Sequence, residues 1–171
     1  LSAEDIGVQS RPDPSPAKWH TAHTTWFFET FLLSENVPGY TPFDPTFGYL
    51  FNSYYEAVGP RHPRPQRGLM TRPGVDQVMA YRDYVDQHME RLLQSALPDD
   101  VSSLIELGLA HEEQHQELLL MDILHLFSTS SLKPAYDAQW PKDISGRRGQ
   151  YKPLKGGLTE IGHQGADFAF D

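Results

Sequence analysis

Apolar positions recur at three- and four-residue intervals along four stretches of the chain, and each such stretch predicts a helix. Ser15-Pro16 reads as a helix start, a capping hydroxyl followed by a proline at the first helical position. From there AKWHTAHTTWFFETFLL runs to about Leu33, with Trp19, His23, Trp26, Phe27 and Thr30 on its apolar side. A loop over 36–45 ends at the capping pair Asp44-Pro45, and a short aromatic helix follows in TFGYLFNSYYEAVG, closed by Gly59-Pro60. The next segment, RHPRPQRG, cannot be regular helix, because each proline disfavours helix at the residue before it. Thr71 or Gly74 opens a third helix through Leu97, with Val75, Val78, Met79, Tyr84, Val85, Met89 and Leu92 as its apolar side and Tyr81 fitting less well. Leu97-Pro98-Asp99-Asp100 ends it, and Asp100 or Ser102 caps a fourth helix that runs from Leu104 to Phe127 and ends near Ser128.

The helical period stops there. Residues 1–14 are polar and proline-bearing, an extended arm before a helical domain over 15–128. Residues 129–150 are rich in turn formers and read as a linker. The stretch 151–171 predicts a short strand, a turn and a second strand, the start of a β-containing domain cut off by the chain end. The pattern is thus an all-α four-helix domain followed by a β-containing tail.

Composition narrows the chemistry. With 171 residues there is material for one full core and the beginning of another. The sequence does not begin with Met, which makes a piece of a longer protein the expectation. There is no cysteine, so any metal must be held by His, Asp or Glu. A formal charge of −9 argues against a nucleic-acid backbone as partner. No apolar run is long enough to span a bilayer and no secretory signal is visible, which makes no membrane and a cytoplasmic location the expectation.

The fourth helix carries the conspicuous chemistry. His111 and His115 are four residues apart, about 40° apart on a helical wheel, and share their arc with Leu104, Leu107 and Leu118. Two basic rings on an apolar stripe are costly unless something pairs with them. His23 lies on the apolar face of the first helix. His20 competes with it, and periodicity favours His23 only slightly. Three imidazoles from two helices make a facial set of neutral nitrogen donors that leaves coordination positions open, as in a catalytic rather than a structural site. Taken singly, each of these histidines is more often a satisfied core residue. Glu112 and Glu113 read as a solvated face, while Glu117 is off the arc and suits a hydrogen bond to a neighbour. Gln114 flanks the arc. Asp122 is too far along for the same metal and suits a buried His or Arg partner, and His125 reads as bland. Tyr54 and Tyr55 are packing or pocket residues. Arg61, Arg64, Arg67 and Arg72 are more often a solvated loop than a site, although their clustering would suit a carboxylate.

Three blocks, SPAKWHTAHTTWFFETFLL, FNSYYEAVGPRHPRPQRGLMTRP and GLAHEEQHQELLLMDILHLF, resemble the N-terminal DinB-like four-helix domain of the ergothioneine-biosynthesis sulfoxide synthases, the iron-dependent hercynine oxygenases of the EgtB family. The likeness covers residues 14 to 135. The tail PLKGGLTEIGHQGADFAFD looks like the opening of the formylglycine-generating-enzyme-like domain that follows in that family. The resemblance implies an Fe(2+) site whose ligands are His23 (settling the choice over His20), His111 and His115 of the HxxxHxE motif. It implies that Gln114 contacts the trimethylated histidine substrate, hercynine, and that Arg67, rather than Arg72, binds the carboxylate of the thiol substrate.

The implied reaction uses O₂ to join the sulfur of cysteine or γ-glutamylcysteine to C2 of hercynine's imidazole as a sulfoxide. In that family a proton-transferring tyrosine and most of the thiol pocket belong to the second domain, expected here as a covalently continuous C-terminal domain. This chain alone would then hold the metal ligands without turning over, with no catalytic residue beyond the metal site. An ovothiol-type synthase is a near relative that the helices do not exclude. Two readings from other classes stand beside it: a stand-alone DinB-like thiol transferase using zinc or nickel, and a non-catalytic helical module.

Overall fold

The computed structural model describes residues 1–139, 149–165 and 168–169, so part of the expected linker (140–148) and positions 166, 167, 170 and 171 of the expected second domain lie outside the described residues. The chain divides into two compact units, Leu1–Tyr136 and Asp137–Asp171.

The first unit is helical. It comprises α1 (Ala3–Gly7), α2 (Ala17–Phe28), a π-helical turn (Glu29–Leu33) that runs on into α3 (Ser34–Asn36), α4 (Phe47–Phe51), a 3₁₀ turn (Arg64–Leu69), α5 (Val75–Leu93) and α6 (Asp99–Thr129). Helix α2 is central, packing on α5, α6, α4 and α1. Its Trp19, Ala22, Trp26 and Phe27 join Leu32, Leu33, Phe47, Phe51, Tyr81, Val85 and Val101 in one core. Helix α5 turns Val78, Tyr81, Val85 and Met89 inward. Tyr81, the weakest member of the expected stripe, is fully buried, whereas Met79 is exposed.

Four local expectations change. The arm is not wholly extended: Ser2 and Asp5 form a reciprocal capping box that starts α1. Ser15 does not cap α2 through its side chain; its hydroxyl accepts from Arg67 Nη1 instead. The first long helix does not run regularly to Leu33. At Glu29 it widens into a π turn, and the Glu29 side chain turns inward to accept from Tyr40 Oη, Phe43 N and Tyr81 Oη at 2.9, 2.9 and 2.6 Å. The aromatic helix is confined to five residues, because at Asn52 the backbone becomes extended and the amide side chain bonds Tyr55 O, Gly59 O and Tyr55 N. The bundle therefore has three long helices, with α4 and the 3₁₀ turn where a fourth was expected.

In the second unit no helix or strand forms among the described residues, so the expected pair of strands is not seen there. An isolated two-stranded ribbon is marginal in water at best.

Candidate metal centre

Helix α6 has fully buried residues near both ends, Val101 and Gly108 on one side of the histidine pair and Ile123 and Phe127 on the other. Between Gly108 and Ile123 no residue is fully buried. Gly108 explains how the helix is held so close: a Cβ there would stand 2.8 Å from Phe28 Cε1 and 3.1 Å from Phe27 Cε1. Only a glycine lets α6 approach α2 at this level, and three residues later His111 lies against Phe27, ring centres 4.8 Å apart.

His23, His111 and His115 meet at this closest approach. One ring nitrogen from each lies within 4.8 Å of the other two, a group able to hold a metal ion. His23 is buried at 1% exposure between Trp19 and Trp26, stacked on both. Its Nδ1 is 2.6 Å from Phe51 O, so Nδ1–H donates to the carbonyl and the Nε2 lone pair is free. His111 Nδ1 is buried without a hydrogen-bond partner among the described residues, a polar atom that needs one. His115 Nδ1 faces His20 Nδ1 at 2.9 Å. His20 is not in the group; it stands beside His115.

The rings are held in the neutral form that a ligand needs. Burial, then the neighbouring His115, drives the pKa of His23 well below the ordinary histidine value. Burial, then His111 and His20, lowers His115 to about 3. Burial also lowers His111, opposed by Glu112. Three neutral imidazoles clustered without an anion are what a divalent cation can satisfy. The donor set fits a divalent metal ion, iron(II) among others.

A family model for the DinB superfamily matches residues 1–126. The chain belongs to the DinB superfamily. No curated protein matches it. The helical unit of this DinB protein carries the match. No helix among the described residues is long and apolar enough to cross a membrane.

A cavity of about 460 Å³ opens in front of the histidines in this DinB domain. Trp19, Tyr54, Tyr55, Arg64, Gln114 and Leu118 help to line it, with the three histidines and Arg67. The structure therefore brings Gln114 and Arg67 to the same cavity as the histidines. Arg72 is not among the lining residues; it is exposed and, among the described residues, bonds only the neighbouring Thr71 O. Arg67 is 3% exposed, its guanidinium 3.3 Å over the Trp19 ring, with Nη1 on Ser15 Oγ and Nε buried without a partner among the described residues. No carboxylate pairs with it among the described residues. Burial, then Arg64, lowers its pKa to about 9. A desolvated cation with an unused donor beside a cavity is arranged to receive an anionic oxygen.

The arm and α2 hold the arginine turn in place. Gln9 Nε2 donates to Pro14 O and Arg64 O, and its Oε1 accepts from Gly68 N. Lys18 Nζ donates to Met70 O and Pro73 O just beyond the turn. Neither residue stands out in the sequence, since both act on backbone groups more than fifty positions away. Glu112 is not simply solvated either: Arg82 Nη2 on α5 donates to its Oε1 at 2.7 Å, tying α6 to α5. Glu113 and Glu117 are exposed. His125 is 2.7 Å from Ser10 Oγ and ties the arm to the far end of α6.

Proposed function

We propose that this domain is the metal-ligand half of an iron(II)- and O₂-dependent sulfoxide synthase that joins cysteine or γ-glutamylcysteine to hercynine. The observation that carries the reading is the desolvated, carboxylate-free Arg67 on the same cavity as three neutral histidines. The three sequence blocks that resemble the hercynine oxygenases support the identity of the substrates.

In this reading His23, His111 and His115 would hold iron, the His23 Nδ1 being engaged by Phe51 O and the His115 Nδ1 by His20. Iron, when bound, supplies the one-electron chemistry with O₂ that the reaction needs. The balance is a thiol, an imidazole C–H and O₂ giving a sulfoxide and water: C–H and S–H break, C–S and S–O form, and O₂ takes up four electrons. Arg67 and Arg64 receive the thiol substrate's carboxylate and so set the direction from which its sulfur enters. Trp19, stacked on the Arg67 guanidinium, holds its orientation and keeps that face dry. Gln114, at the rim, offers an amide to hercynine. Three uncharged protein ligands leave the site cationic, which favours a thiolate over a thiol.

The test is made on the natural protein with whatever domain follows Asp171, loaded anaerobically with Fe(2+). Hercynine, γ-glutamylcysteine and O₂ should give the sulfoxide by mass spectrometry, with about one metal per chain, as expected for a site of three protein ligands. Thiol transfer supported by zinc or nickel without O₂ uptake would overturn the assignment in favour of a DinB-type transferase.

A further inference from the structure

Beside His115, a hydrogen-bond line runs from α6 to α2, where His20 also borders the cavity, and back to α6. Asp122 Oδ2 is 2.9 Å from His20 Nε2, and His20 Nδ1 is 2.9 Å from His115 Nδ1. Ser15 N also donates to Asp122 Oδ2, at 2.8 Å. His20 is 4% exposed, and its ring is edge-on to Trp19 at 5.8 Å.

We propose that Asp122 and His20 are positioning residues that hold His115 in the tautomer with Nδ1 protonated, so that Nε2 presents its lone pair to the metal. The inference rests on the metal reading of the three-histidine group. Two ring nitrogens 2.9 Å apart make a hydrogen bond only if one carries a proton and the other does not. An ionised carboxylate only accepts, so the proton between Asp122 and His20 belongs to His20 Nε2. When His20 is neutral its Nδ1 is bare, and the proton of the next bond is then on His115 Nδ1. The same tautomer is set in His23 by a different device, the carbonyl of Phe51. Two of the three rings are thus fixed through Nδ1, one by backbone and one by a carboxylate–histidine pair. Such outer partners also restrain ring orientation and raise donor basicity.

A packing role alone would tie α2 to α6 without caring which His115 nitrogen is protonated, and this separates the two. In the metal-free full chain, nitrogen-15 imidazole NMR should show His115 protonated on Nδ1 and His20 on Nε2. His20→Phe and Asp122→Ala should leave His115 as a mixture of tautomers. Both should weaken Co²⁺ binding, followed by its visible absorption, by about 10- to 100-fold. Asp122→Asn, whose amide oxygen can take the place of Oδ2, should keep the tautomer and most of the affinity even if the other variants fold poorly. Wild-type His115 protonated on Nε2, or Co²⁺ affinity unmoved in folded His20→Phe, overturns the positioning role while leaving the metal site standing. A wild type that takes up no Co²⁺ overturns the metal reading and the positioning role with it.

Discussion

Gly108 and Phe28 are in contact so close that no β-carbon fits between them: the added atom would lie 2.8 Å from Cε1 and 2.9 Å from Cζ of the ring. This contact sets how near α6 stands to α2, and the histidines on both helices depend on that spacing. Gly108→Val should push the helices apart, cost about 1–3 kcal/mol of stability by overpacking, and weaken metal binding more than Gly48→Val, where an added Cβ meets no atom within 4 Å. Denaturant melts and Co²⁺ titration on the same samples measure both effects. Unchanged metal affinity in a folded Gly108→Val chain would show that the spacing is not critical.

Replacing any one of His23, His111 or His115 with Ala should abolish tight metal uptake, while His88→Ala should not. His88 lies away from the group, its Nδ1 on Tyr84 O. Metal content after dialysis against a weak chelator decides it. His23→Ala carries an extra cost to stability, because it empties a buried site between two tryptophans.

The Asp122 carboxylate should make the domain acid-sensitive. Burial alone would raise its pKa, but the bonds from His20 and Ser15 N hold it below the ordinary value of 3.8. A folded pKa below the unfolded one means that its contribution is fully present above the unfolded value and is lost as pH falls through the folded one. Asp122→Ala should therefore destabilise the protein at pH 6, and the gap between variant and wild type should shrink below about pH 4. Urea melts at the two pH values check this; a gap that is constant with pH would mean that the charge contributes nothing.

Glu29 holds the π turn to α5 and to the loop before α4 through three donors. Burial, then the Glu29 carboxylate, pushes the hydroxyls of Tyr40 and Tyr81 up, so both stay protonated and able to donate. Tyr81→Phe removes the only donor to Oε2 among the described residues, and should cost about 1–3 kcal/mol, the penalty for a buried acceptor left unpaired. Tyr40→Phe should cost less, since Phe43 N still serves Oε1. Equal losses in thermal melts would argue against this division.

The three long helices were legible because their apolar periods are regular, and the histidine cluster because i, i+4 spacing and a third ring on an apolar face are local signals. What escaped was decided by distant partners. Glu112 looks solvated until Arg82, thirty residues earlier, is placed opposite it on another helix. The segment around Asn52 has aromatic content fit for a helix, yet one amide side chain gains more by bonding three backbone groups of the turn that follows. The helix at Ala3–Gly7 was hidden because its capping box uses Asp5 where Glu or Gln is the usual sign. Gly108 reads as a weak point within a helix, and its use is visible only once Phe28 is beside it.

Gln9 carries a practical consequence. Counting helices from Ala17, a protein engineer would trim the chain at Ser15 and expect a tidy domain. That cut removes the amide that clasps Pro14, Arg64 and Gly68, together with the Asp13 carbonyl that receives Arg64 Nε. The trimmed protein would keep its core and its histidines but release the turn that presents the arginines, so that an intact metal reading could accompany a lost grip on carboxylates.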